Sequence, residues 1–552
     1  MTDAVGAKAD PGLRTVVVAS SAGTAFEWYD FFIFGSLTAV IAKHFYADVG
    51  ETAGYILALL TFGVGFVVRP LGALVFGWFG DRTGRKTTFL VTITLMGAAT
   101  VAIGLLPDYD QIGIAAPILL LTMRVLQGFA LGGEYGGAAI YVAEHSPAKQ
   151  RGLLTGWIQT TAAMGLIGAL SVILATRMIV GAEAFDEWGW RIPFLLSAFL
   201  LTISLWIRLK LSESPSYERM EAEGGQRRAP YKEAFGTWKN GRFVLIALFG
   251  IMIAQGAVWY CGYFYSRTFM ERFLRVDVAT VDMMMLWLTL ASAPLYIFFA
   301  WLSDRVGRKP VMLFGMLLAL VAFFPGFQAL TKAANPALAE AQAAAPVTVL
   351  ADPAFCAFQF DPVGRTTFAS ACDLAKSALS NAGVSYDKVA GAPGQVAVVR
   401  IGAVEVTSRG AEGLAPDELK AVRAEVEGRI KAALVEAGYP VRADPARMNL
   451  GAMFGILMIF IVAATALYGP QAAALVELFP TRVRYTAMSL PYNVGTGWVG
   501  GLLPAASFAL VAWSGNIYFG LWYSVAFTAL AAVVALIWLP ETKGRDLDTM
   551  EN

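Results

Sequence analysis

The sequence is poor in charged residues and very poor in histidine and cysteine. Of its 552 residues, 15% are charged, 2 are histidine and 3 are cysteine. The chain therefore has no His or Cys cluster with the spacing of a metal site, and it also has no phosphate-binding loop of the Walker type. These absences argue against an enzyme and against an ATP-driven pump. We expect no catalytic activity, no metal and no cofactor.

Long apolar stretches are abundant instead. Hydrophobic residues make up 57% of the chain and the mean hydropathy is +0.58, more than a water-soluble core of this length needs. Apolar runs long enough to cross the hydrocarbon layer as helices recur, among them 53–79, 88–106, 153–175 and 194–207. The apolar run after Arg14 is too long for a signal peptide, and we interpret it as a retained first span. We predict about twelve membrane-spanning helices.

Basic residues are concentrated in alternate loops between these spans. Arg82, Arg85 and Lys86 lie in one such loop, and Arg305, Arg308 and Lys309 lie in another. Because cytoplasmic loops carry an excess of Lys and Arg, we expect both termini to be cytoplasmic. The setting would be the inner (plasma) membrane of a bacterium, and we expect a monomer with the lipid bilayer around it and no nucleic-acid partner.

Two motifs occur twice. GWFGDRTGRK (77–86) returns as AWLSDRVGRK (300–309), and YVAEHSPAKQR (141–151) is echoed by ALVELFPTRVR (474–484). The second pair is roughly 110 residues further apart than the first, which predicts a duplicated transporter with an insertion in its second half.

The insertion is located by hydropathy at residues 332–448. It contains a strand-like segment, 395–408, and a helix with Pro416 in its first turn and Gly438 at its end. Span parity places this small α+β domain on the outer face. An elongated, partly disordered loop is the alternative. Cys356 and Cys372 fall inside the domain and suit a disulfide in an oxidising compartment, with two free thiols as the other possibility.

The resulting domain organisation has six parts. We predict an N-terminal six-helix half at 1–211, a cytoplasmic linker at 212–241, spans 7–9 at 242–331, the insertion at 332–448, spans 10–12 at 449–540 and a cytoplasmic tail at 541–552.

The doubled GxxxDRxGRK motif resembles the signature loop of the major facilitator superfamily. GTAFEWYDFFIFG (23–35), RPLGALVFGWFGDRTGRK (69–86), RVLQGFALGGEYGGA (124–138) and LPETKG (539–544) are more specifically similar to the metabolite:proton symporter family. The resemblance covers all twelve spans and stops at the insertion. It implies the twelve-helix fold in two six-helix halves and proton-driven uptake of small carboxylates or zwitterions such as 2-oxoglutarate, citrate, shikimate, proline or betaine.

The signature loop also has a physical interpretation of its own. Asp81 stands near the inner end of span 2, where it can cap a neighbouring helix and meet Arg85, while Gly84 permits a tight turn. Such a contact would act as a latch between the inward-open and outward-open states, with Asp304 and Arg308 as its weaker copy; a topology signal without a gating role is the alternative. The candidate gating residues are Asp81, Arg82, Gly84, Arg85, Lys86, Asp304, Arg305 and Arg308.

Ionisable residues at membrane depth are costly and are therefore candidates for function. They fall almost entirely in the first half: Glu27 and Asp30 in span 1, Arg69 in span 2, and Arg124, Gln127 and Glu134 in span 4. In one hypothesis an acid of span 1 pairs with Arg124, takes up a proton and so frees the arginine to bind a carboxylate. In the other, the set consists of permanent interhelical pairs. The candidate proton-coupling residues are Glu27, Asp30, Arg124 and Glu134, with Asp30 placed before Glu27.

The second half carries amphipathic aromatics in place of such charges. Spacing of four residues puts Gln255, Trp259 and Tyr263 on one side of span 7, and a polar-aromatic wall opposite an arginine-bearing wall suits a small anion or zwitterion. Ordinary packing is the alternative for each residue. The candidate substrate-binding residues are Tyr29, Arg69, Arg124, Gln127, Gln255, Trp259, Tyr263, Tyr468 and Asn493.

Three functions remain open from the sequence. Proton-coupled uptake is the first, a facilitative or efflux carrier of the same superfamily is the second, and a transporter-like sensor that uses the outer domain is the third. The buried acids and arginines favour the first, and the insertion is the feature that would serve the third.

Overall fold

The chain is described by a computed structural model over residues 12–47, 51–209, 213–222, 230–357 and 368–547. Parts of the predicted linker 212–241 and tail 541–552 lie outside these ranges. Within them, eleven helices are long and apolar enough to cross a membrane, and a bent helix pair makes a twelfth. The prediction of a twelve-helix membrane protein with an α+β insertion is confirmed.

We number the spans in chain order. Span 1 is the pair Leu13–Ser36 and Thr38–Phe45, and spans 2–12 are Leu60–Thr83, Arg85–Leu105, Ala115–His145, Arg151–Val180, Arg191–Leu209, Trp238–Arg272, Val278–Val306, Arg308–Ala334, Leu450–Val476, Arg484–Ser514 and Leu521–Trp538. The helix of span 2 begins at Glu51. Shorter helices are Tyr109–Ile112, Ala182–Ala184, Pro215–Ala222 and Pro230–Phe235. We call the ends of the spans that carry the Asp81 and Asp304 loops the inner ends, and the opposite ends the outer ends.

Several spans are irregular. Span 1 bends by 61° at Leu37, directly after Gly35 and Ser36, and small-residue pairs of this kind are common at helix kinks. Span 7 contains two π-helical segments, Leu248–Met252 and Cys261–Tyr265, and span 11 contains Val494–Gly500. A fourth such segment, Phe185–Gly189, precedes span 6. Each π segment rotates the side chains that follow it, so the faces of these spans do not follow simple helical spacing.

Glycines let spans 2 and 4 pack backbone to backbone. A Cβ added to Gly72 would collide with the carbonyl of Phe129, and one added to Gly128 would collide with Gly65. Gly132 packs against Arg69 in the same way. The close approach brings the buried residues of both spans into one site.

The insertion joins span 9 to span 10. It is a four-stranded sheet in the order β2-β1-β3-β4, with strands β1 Val347–Ala351, β2 Tyr386–Ala390, β3 Val398–Ile401 and β4 Val404–Thr407. Strand β1 is parallel to β2 and antiparallel to β3. The helices Pro336–Ala344, Ala371–Asn381 and Pro416–Glu436 and the short helical turn Pro353–Phe355 complete the domain.

The strand-like segment predicted at 395–408 is a hairpin rather than one strand. Strands β3 and β4 pair antiparallel through Ile401 and Val404. Gly402 at the turn has a φ of 57°, which favours glycine. The predicted helix begins at Pro416 and ends at Glu436, and Gly438 follows it with a φ of 89°. The described residues of the insertion thus form a folded α+β domain.

The insertion is anchored on the outer ends of the C-terminal half. The backbone N–H of Tyr386 donates to the carbonyl of Gly515, between spans 11 and 12, at 2.8 Å. The amide of Asn335 donates to the carbonyl of Leu274, between spans 7 and 8, at 3.0 Å. Buried apolar residues of the domain continue the core of that half. These contacts attach the insertion to one half of the bundle.

A disulfide joins Cys356 to Cys372 across a separation of 16 residues. Replacing both cysteines by serine is expected to lower the free energy of unfolding of the insertion by about 3 kcal/mol, because the cross-link restricts the unfolded chain. Limited proteolysis of the full chain with and without the substitutions measures this change, with cleavage sites inside 332–448 read by mass spectrometry. Equal cleavage rates in the two proteins would contradict the expectation.

Candidate functional site

The inner end of span 2 is joined to the start of span 11 by a carboxylate. Asp81 accepts the backbone N–H groups of Tyr485 at 3.2 Å and Thr486 at 2.8 Å. Arg85 lies 3.7 Å from Asp81 and donates to the carbonyl of Thr481 at 2.7 Å. An anion at a helix N-terminus satisfies free N–H groups and faces the positive end of the helix dipole. Asp81 therefore caps a helix of the opposite half.

The second copy of the motif makes the corresponding contact with span 5. Asp304 accepts the N–H groups of Gly152 at 2.9 Å and Leu153 at 2.7 Å. Arg308 donates to Asp304 at 2.6 Å, closer than the ion pair of the first copy. The expectation that this copy is the weaker one is not what the geometry shows, because both carboxylates cap a helix of the other half.

A buried glutamate reinforces each of these contacts. Glu144, at the end of span 4, accepts from Arg484 of the opposite half at 2.5 Å and lies 3.7 Å from Arg85 of its own half. The hydroxyl of Ser214 also donates to it, at 2.5 Å. Glu144 thus connects the two halves through buried ion pairs.

Glu477 occupies the equivalent place in the second half. It accepts from Arg151 of the opposite half at 2.9 Å and from Arg308 of its own half at 3.2 Å. Thr542 donates a further hydrogen bond at 2.9 Å. The sequence predicted a gating role for Arg85 and Arg308, but it identified Glu144, Glu477, Arg151 and Arg484 only as a repeat. The recurrence of these four residues beside the doubled Asp motif was the available signal.

The turn between spans 2 and 3 holds a further cap. Gly84 has a φ of 101°, and a Cβ there would collide with the carboxylate of Glu213. Glu213 accepts the N–H groups of Arg85 and Lys86, each at 3.1 Å. Gly84 therefore provides both the left-handed turn and the room that this cap requires.

The second half repeats that cap with a residue of the closing LPETKG motif. Glu541 accepts the N–H groups of Arg308 at 2.9 Å and Lys309 at 3.1 Å. Arg82 and Arg305, which were predicted with the gating group, are exposed and stack on tryptophan rings instead. The network that closes the inner ends therefore consists of the capping carboxylates and the buried arginines.

Deeper in the N-terminal half, two carboxylates share one guanidinium. Arg208 of span 6 donates from Nη2 to Glu27 and to Glu134, both at 3.2 Å. Thr92 donates to the other oxygen of Glu134 at 2.8 Å. The side chains of Glu27, Glu134 and Arg208 are at most 3% exposed. One positive and two negative groups leave this cluster with an excess of one negative charge unless it holds a proton.

Arg208 was missed in the sequence, which led to a wrong pairing. The predicted partner of the span 1 acids was Arg124, but the structure pairs Glu27 with Arg208. Arg208 stands one residue before the end of span 6, next to the inner basic segment. In the sequence it therefore looked like one of the basic residues that mark the cytoplasmic ends of spans. A Cβ at Gly23 would overlap this guanidinium, but that relation exists only once spans 1 and 6 have packed and gives no signal in the sequence.

Asp30 lies one turn further along span 1 in a different environment. Its carboxylate accepts a 2.5 Å hydrogen bond from the hydroxyl of Ser197 and is 6% exposed with no salt bridge in the described part of the chain. A buried carboxylate without a cation is unfavourable in its charged form. Asp30 is therefore a second place in the site where a proton can reside.

Arg124 and Arg69 are buried cations without a carboxylate partner among the described residues. Arg124 donates to Gln127 at 2.7 Å and to the carbonyl of Phe62 at 3.1 Å, and its guanidinium lies 4.3 Å from the ring centre of Phe34. Arg69 lies 4.7 Å from the ring of Phe66, and its buried Nε and Nη2 have no hydrogen-bond partner within the described ranges. Both guanidinium groups retain donors for an anion.

The C-terminal half faces these arginines with aromatic side chains. Trp259 donates to the hydroxyl of Tyr296 at 2.8 Å and its ring lies 5.0 Å from that of Tyr263. Tyr468 packs 5.6 Å from Tyr296, and its hydroxyl lies 3.5 Å from that of Tyr492. Arg69 interacts electrostatically with Tyr260, Tyr468 and Tyr492. The predicted aromatic wall is thus assembled opposite the arginines.

A stacked tyrosine pair joins the two halves below this wall. Tyr135 of span 4 lies 3.7 Å from Tyr492 of span 11, with their rings parallel within 4°. The hydroxyl of Tyr135 accepts from Gln159 at 2.7 Å and from Gln471 at 3.2 Å. Sequence reasoning missed Tyr135 and Gln159, and the available signal for Tyr135 was its place beside Glu134.

Three further predicted site residues have other surroundings. Tyr29 donates to the carbonyl of Pro193 at 3.0 Å, inside the N-terminal half. Asn493 donates to the carbonyl of Gly132 at 2.8 Å and so bridges the halves. Gln255 is 2% exposed, and its Oε1 has no hydrogen-bond partner within the described ranges. Across the described residues, no group of three His, Cys, Asp or Glu side chains is placed to hold a metal ion.

Comparison with known proteins identifies similar transporters. A family profile for sugar (and other) transporters matches residues 15–229 and 430–552. The proline/betaine transporter of Escherichia coli K12 is 35% identical over 328 residues, which cover 58% of this chain and 65% of that protein. The shikimate transporter of the same organism is 36% identical over 325 residues, 57% of this chain and 72% of that protein. The match thus spans just under two thirds of the proline/betaine relative.

Solved structures show the same fold. The proton:xylose symporter XylE bound to 6-bromo-6-deoxy-D-glucose superposes with a TM-score of 0.61 at 16% identity, covering 97% of this chain and 98% of the other. XylE of E. coli in a partially occluded inward-open conformation gives a TM-score of 0.56 at 15% identity, covering 97% and 99%. At these identities the similarity concerns the fold alone.

Proposed function

The chain belongs to the sugar (and other) transporter family of the major facilitator superfamily, and from that premise we propose that it takes up a small carboxylate or zwitterionic metabolite together with protons. The observation that carries the proposal is the pair Arg69 and Arg124, buried at membrane depth without carboxylate partners in the described part of the chain. A buried cation without a counter-charge is expensive. A negatively charged group of the substrate would offset that cost.

The arrangement suits a substrate with one negative group and a compact body. Free N–H donors of Arg69 and Arg124 would hold the carboxylate, and the rings of Trp259, Tyr468 and Tyr492 would enclose the rest. The names of the relatives support this class, because proline and betaine are zwitterions and shikimate is a carboxylate.

Protons would enter through the acids of span 1. Glu27 and Glu134 share Arg208, so that cluster is neutral when it holds one proton. Asp30 is instead surrounded by the neutral hydroxyls of Ser197 and Thr100. The Arg208 cluster and Asp30 lie on spans that also line the substrate site, and their protonation would change the attraction between those spans. Protonation and substrate binding would thus shift the same equilibrium between the open and closed arrangements of the two halves.

Alternating access would use the inner contacts as its latch. The halves are joined at their inner ends through Asp81, Asp304, Glu144 and Glu477. Breaking these contacts would open the site to the inner side, and the symmetry of the two copies suits two halves that rock about a central site.

The membrane placement completes the proposal. The basic inner ends favour a cytoplasmic position for both termini in a bacterial inner membrane, and the insertion would then lie on the outer face. We propose that the protein functions as a monomer, since the two halves of one chain already complete the site. We also propose the six-part domain organisation given in the sequence analysis.

Proton flux in proteoliposomes tests the function. An inward proton current is expected on adding a carboxylate or zwitterion from a panel, together with accumulation of the labelled solute. With Asp30→Asn, accumulation is expected to be lost while solute exchange remains, because an amide cannot carry the proton but the substrate site persists. Asp110→Asn, at an exposed position, is the matched control and is expected to behave as wild type.

Other outcomes point to the alternatives. Solute entry without any proton current would indicate a facilitative carrier, and outward transport against a proton gradient would indicate efflux. Binding of a solute without any flux, in a protein that unfolds cooperatively, would favour a sensor in which the insertion takes part. If Asp30→Asn keeps proton-coupled accumulation and Glu27→Gln loses it, the proton site belongs to the cluster around Arg208.

A further inference from the structure

A cavity of about 760 Å³ lies between the insertion and the outer end of the C-terminal half. Phe508 and Val511 of span 11 form part of its wall on the membrane side, and Leu434 and Tyr439 of the insertion form part of the wall opposite. It is separate from the central site, because none of the candidate substrate-binding or proton-coupling residues lines it. Any occupant would touch both the inserted domain and the transporter core.

The cavity carries an excess of positive charge. Arg272, Arg275 and Lys431 line it, with Glu427 as the single acidic residue among its lining side chains. Arg272 and Lys431 are exposed and form no salt bridge within the ranges that the structure describes. Three cations against one anion favour a negatively charged ligand.

The cations are close enough to affect one another. Burial and the neighbouring Arg272 lower the pKa of Arg275, and Glu427 opposes that shift. Arg275 also has a φ of 57°, unusual for a residue other than glycine, while its guanidinium donates to the carbonyl of Asn381. The chain therefore keeps like charges together at this cavity, and an anion would relieve their repulsion.

The position of the cavity along the spans indicates what its apolar wall would meet. Arg272 is the last residue of span 7, and Val511 lies in the last turn of span 11, which ends at Ser514. The ends of apolar spans mark the boundary between hydrocarbon and head groups. From these helix ends we infer that the apolar wall faces the edge of the acyl chains and that the cations lie near the level of the head groups.

We propose that this cavity binds one anion that carries an acyl chain, with its carboxylate or phosphate held by Arg272, Arg275 and Lys431 and its chain packed against Phe508 and Leu434. Such a ligand ties the insertion to spans 7 and 11. The proposal is independent of which solute the central site transports.

Binding of a fluorescent acyl carboxylate, cis-parinaric acid, to the full chain in phosphatidylcholine nanodiscs tests the site. Saturable binding to one site is expected. The double variant Arg272→Gln/Lys431→Gln is expected to weaken it at least about tenfold, because charged hydrogen bonds to the head group are lost. Lys420→Gln, an exposed position on the same helix that does not line the cavity, is the control and is expected to leave binding unchanged.

A second variant and three competitors complete the test. Ala382→Phe, which fills the cavity without removing charge, is also expected to weaken binding. Displacement by palmitate alone identifies a free acyl anion as the ligand, and displacement by phosphatidylglycerol in the disc identifies a membrane phospholipid. Displacement by succinate as effective as that by palmitate would overturn the requirement for an acyl chain. Binding that is unsaturable, or that neither variant weakens, would overturn the site.

Discussion

Replacing Arg124 by glutamine is expected to reduce substrate uptake about a hundredfold, since two charged hydrogen bonds to a buried carboxylate are lost. The same substitution is expected to leave the melting temperature unchanged or higher, because Arg124 is a buried cation for which the described residues supply only the amide of Gln127, a carbonyl and aromatic rings. Arg124→Lys, which keeps the charge but not the fork of donors, is expected to retain part of the uptake. Labelled uptake in proteoliposomes and thermal unfolding provide the two measurements.

Arg208 provides the matched comparison. Arg208→Gln leaves Glu27 and Glu134 buried without their shared cation, so it is expected to lower stability as well as uptake. Arg177→Gln, at an exposed position of span 5, is expected to change neither. If Arg124→Gln destabilises the protein as strongly as Arg208→Gln does, Arg124 is a structural residue and the assignment of the anion site fails.

The contrast between these two arginines shows how far the sequence could lead. Hydropathy and the doubled motif predicted the spans, the repeat and the insertion, because these depend on composition and order alone. The buried charges were also identified by type and depth. Their ion-pair partners were not predicted, because the pairing of Glu27 with Arg208 depends on how spans 1 and 6 pack. Arg208 also lies at a helix end, where Lys and Arg usually reflect only the orientation of the chain in the membrane.

Local irregularities set a second limit. Spacing of four residues placed Gln255, Trp259 and Tyr263 on one face. Gln255 and Trp259 share the regular helix Ile253–Tyr260, but the π-helical segment Cys261–Tyr265 changes the pitch between Trp259 and Tyr263. The rings of Trp259 and Tyr263 still meet, with their centres 5.0 Å apart, so the side-chain contact survives the change of pitch. No residue type in span 7 marks a π segment in advance, since its cost is offset by tertiary contacts. The position of the insertion against spans 7 and 11 also depends on tertiary contacts, so the sequence alone could not predict it.

The inner latch gives the other large expected effect. Glu477→Gln leaves Arg151 buried with a neutral partner and leaves Arg308 with Asp304 as its remaining carboxylate. Breaking a buried ion pair costs about 3–5 kcal/mol. When the inner ends part, both arginines can reach water, so the cost falls mainly on the closed state. If about 1.4 kcal/mol of this cost or more is specific to the closed state, the equilibrium shifts toward the inward-open state by at least about tenfold, which is the expected result. Glu436→Gln, on the exposed surface of the insertion, is the control.

A cysteine at Thr486 reports this shift. Thr486 is fully buried at the start of span 11, where its backbone N–H donates to Asp81. Thr486→Cys keeps that backbone contact and a side chain of similar size. Maleimide labelling is expected to be slow in the Thr486→Cys background and about tenfold faster when Glu477→Gln is added. The other free thiol, Cys261, is buried in span 7.

Because Glu144 and Glu477 each pair with one arginine of their own half and one of the opposite half, Glu144→Gln is expected to accelerate labelling to a similar degree. Labelling that accelerates for only one of the two glutamates would show that the halves do not share the latch equally, and labelling that accelerates for neither would show that the carboxylate caps alone hold the inner ends closed.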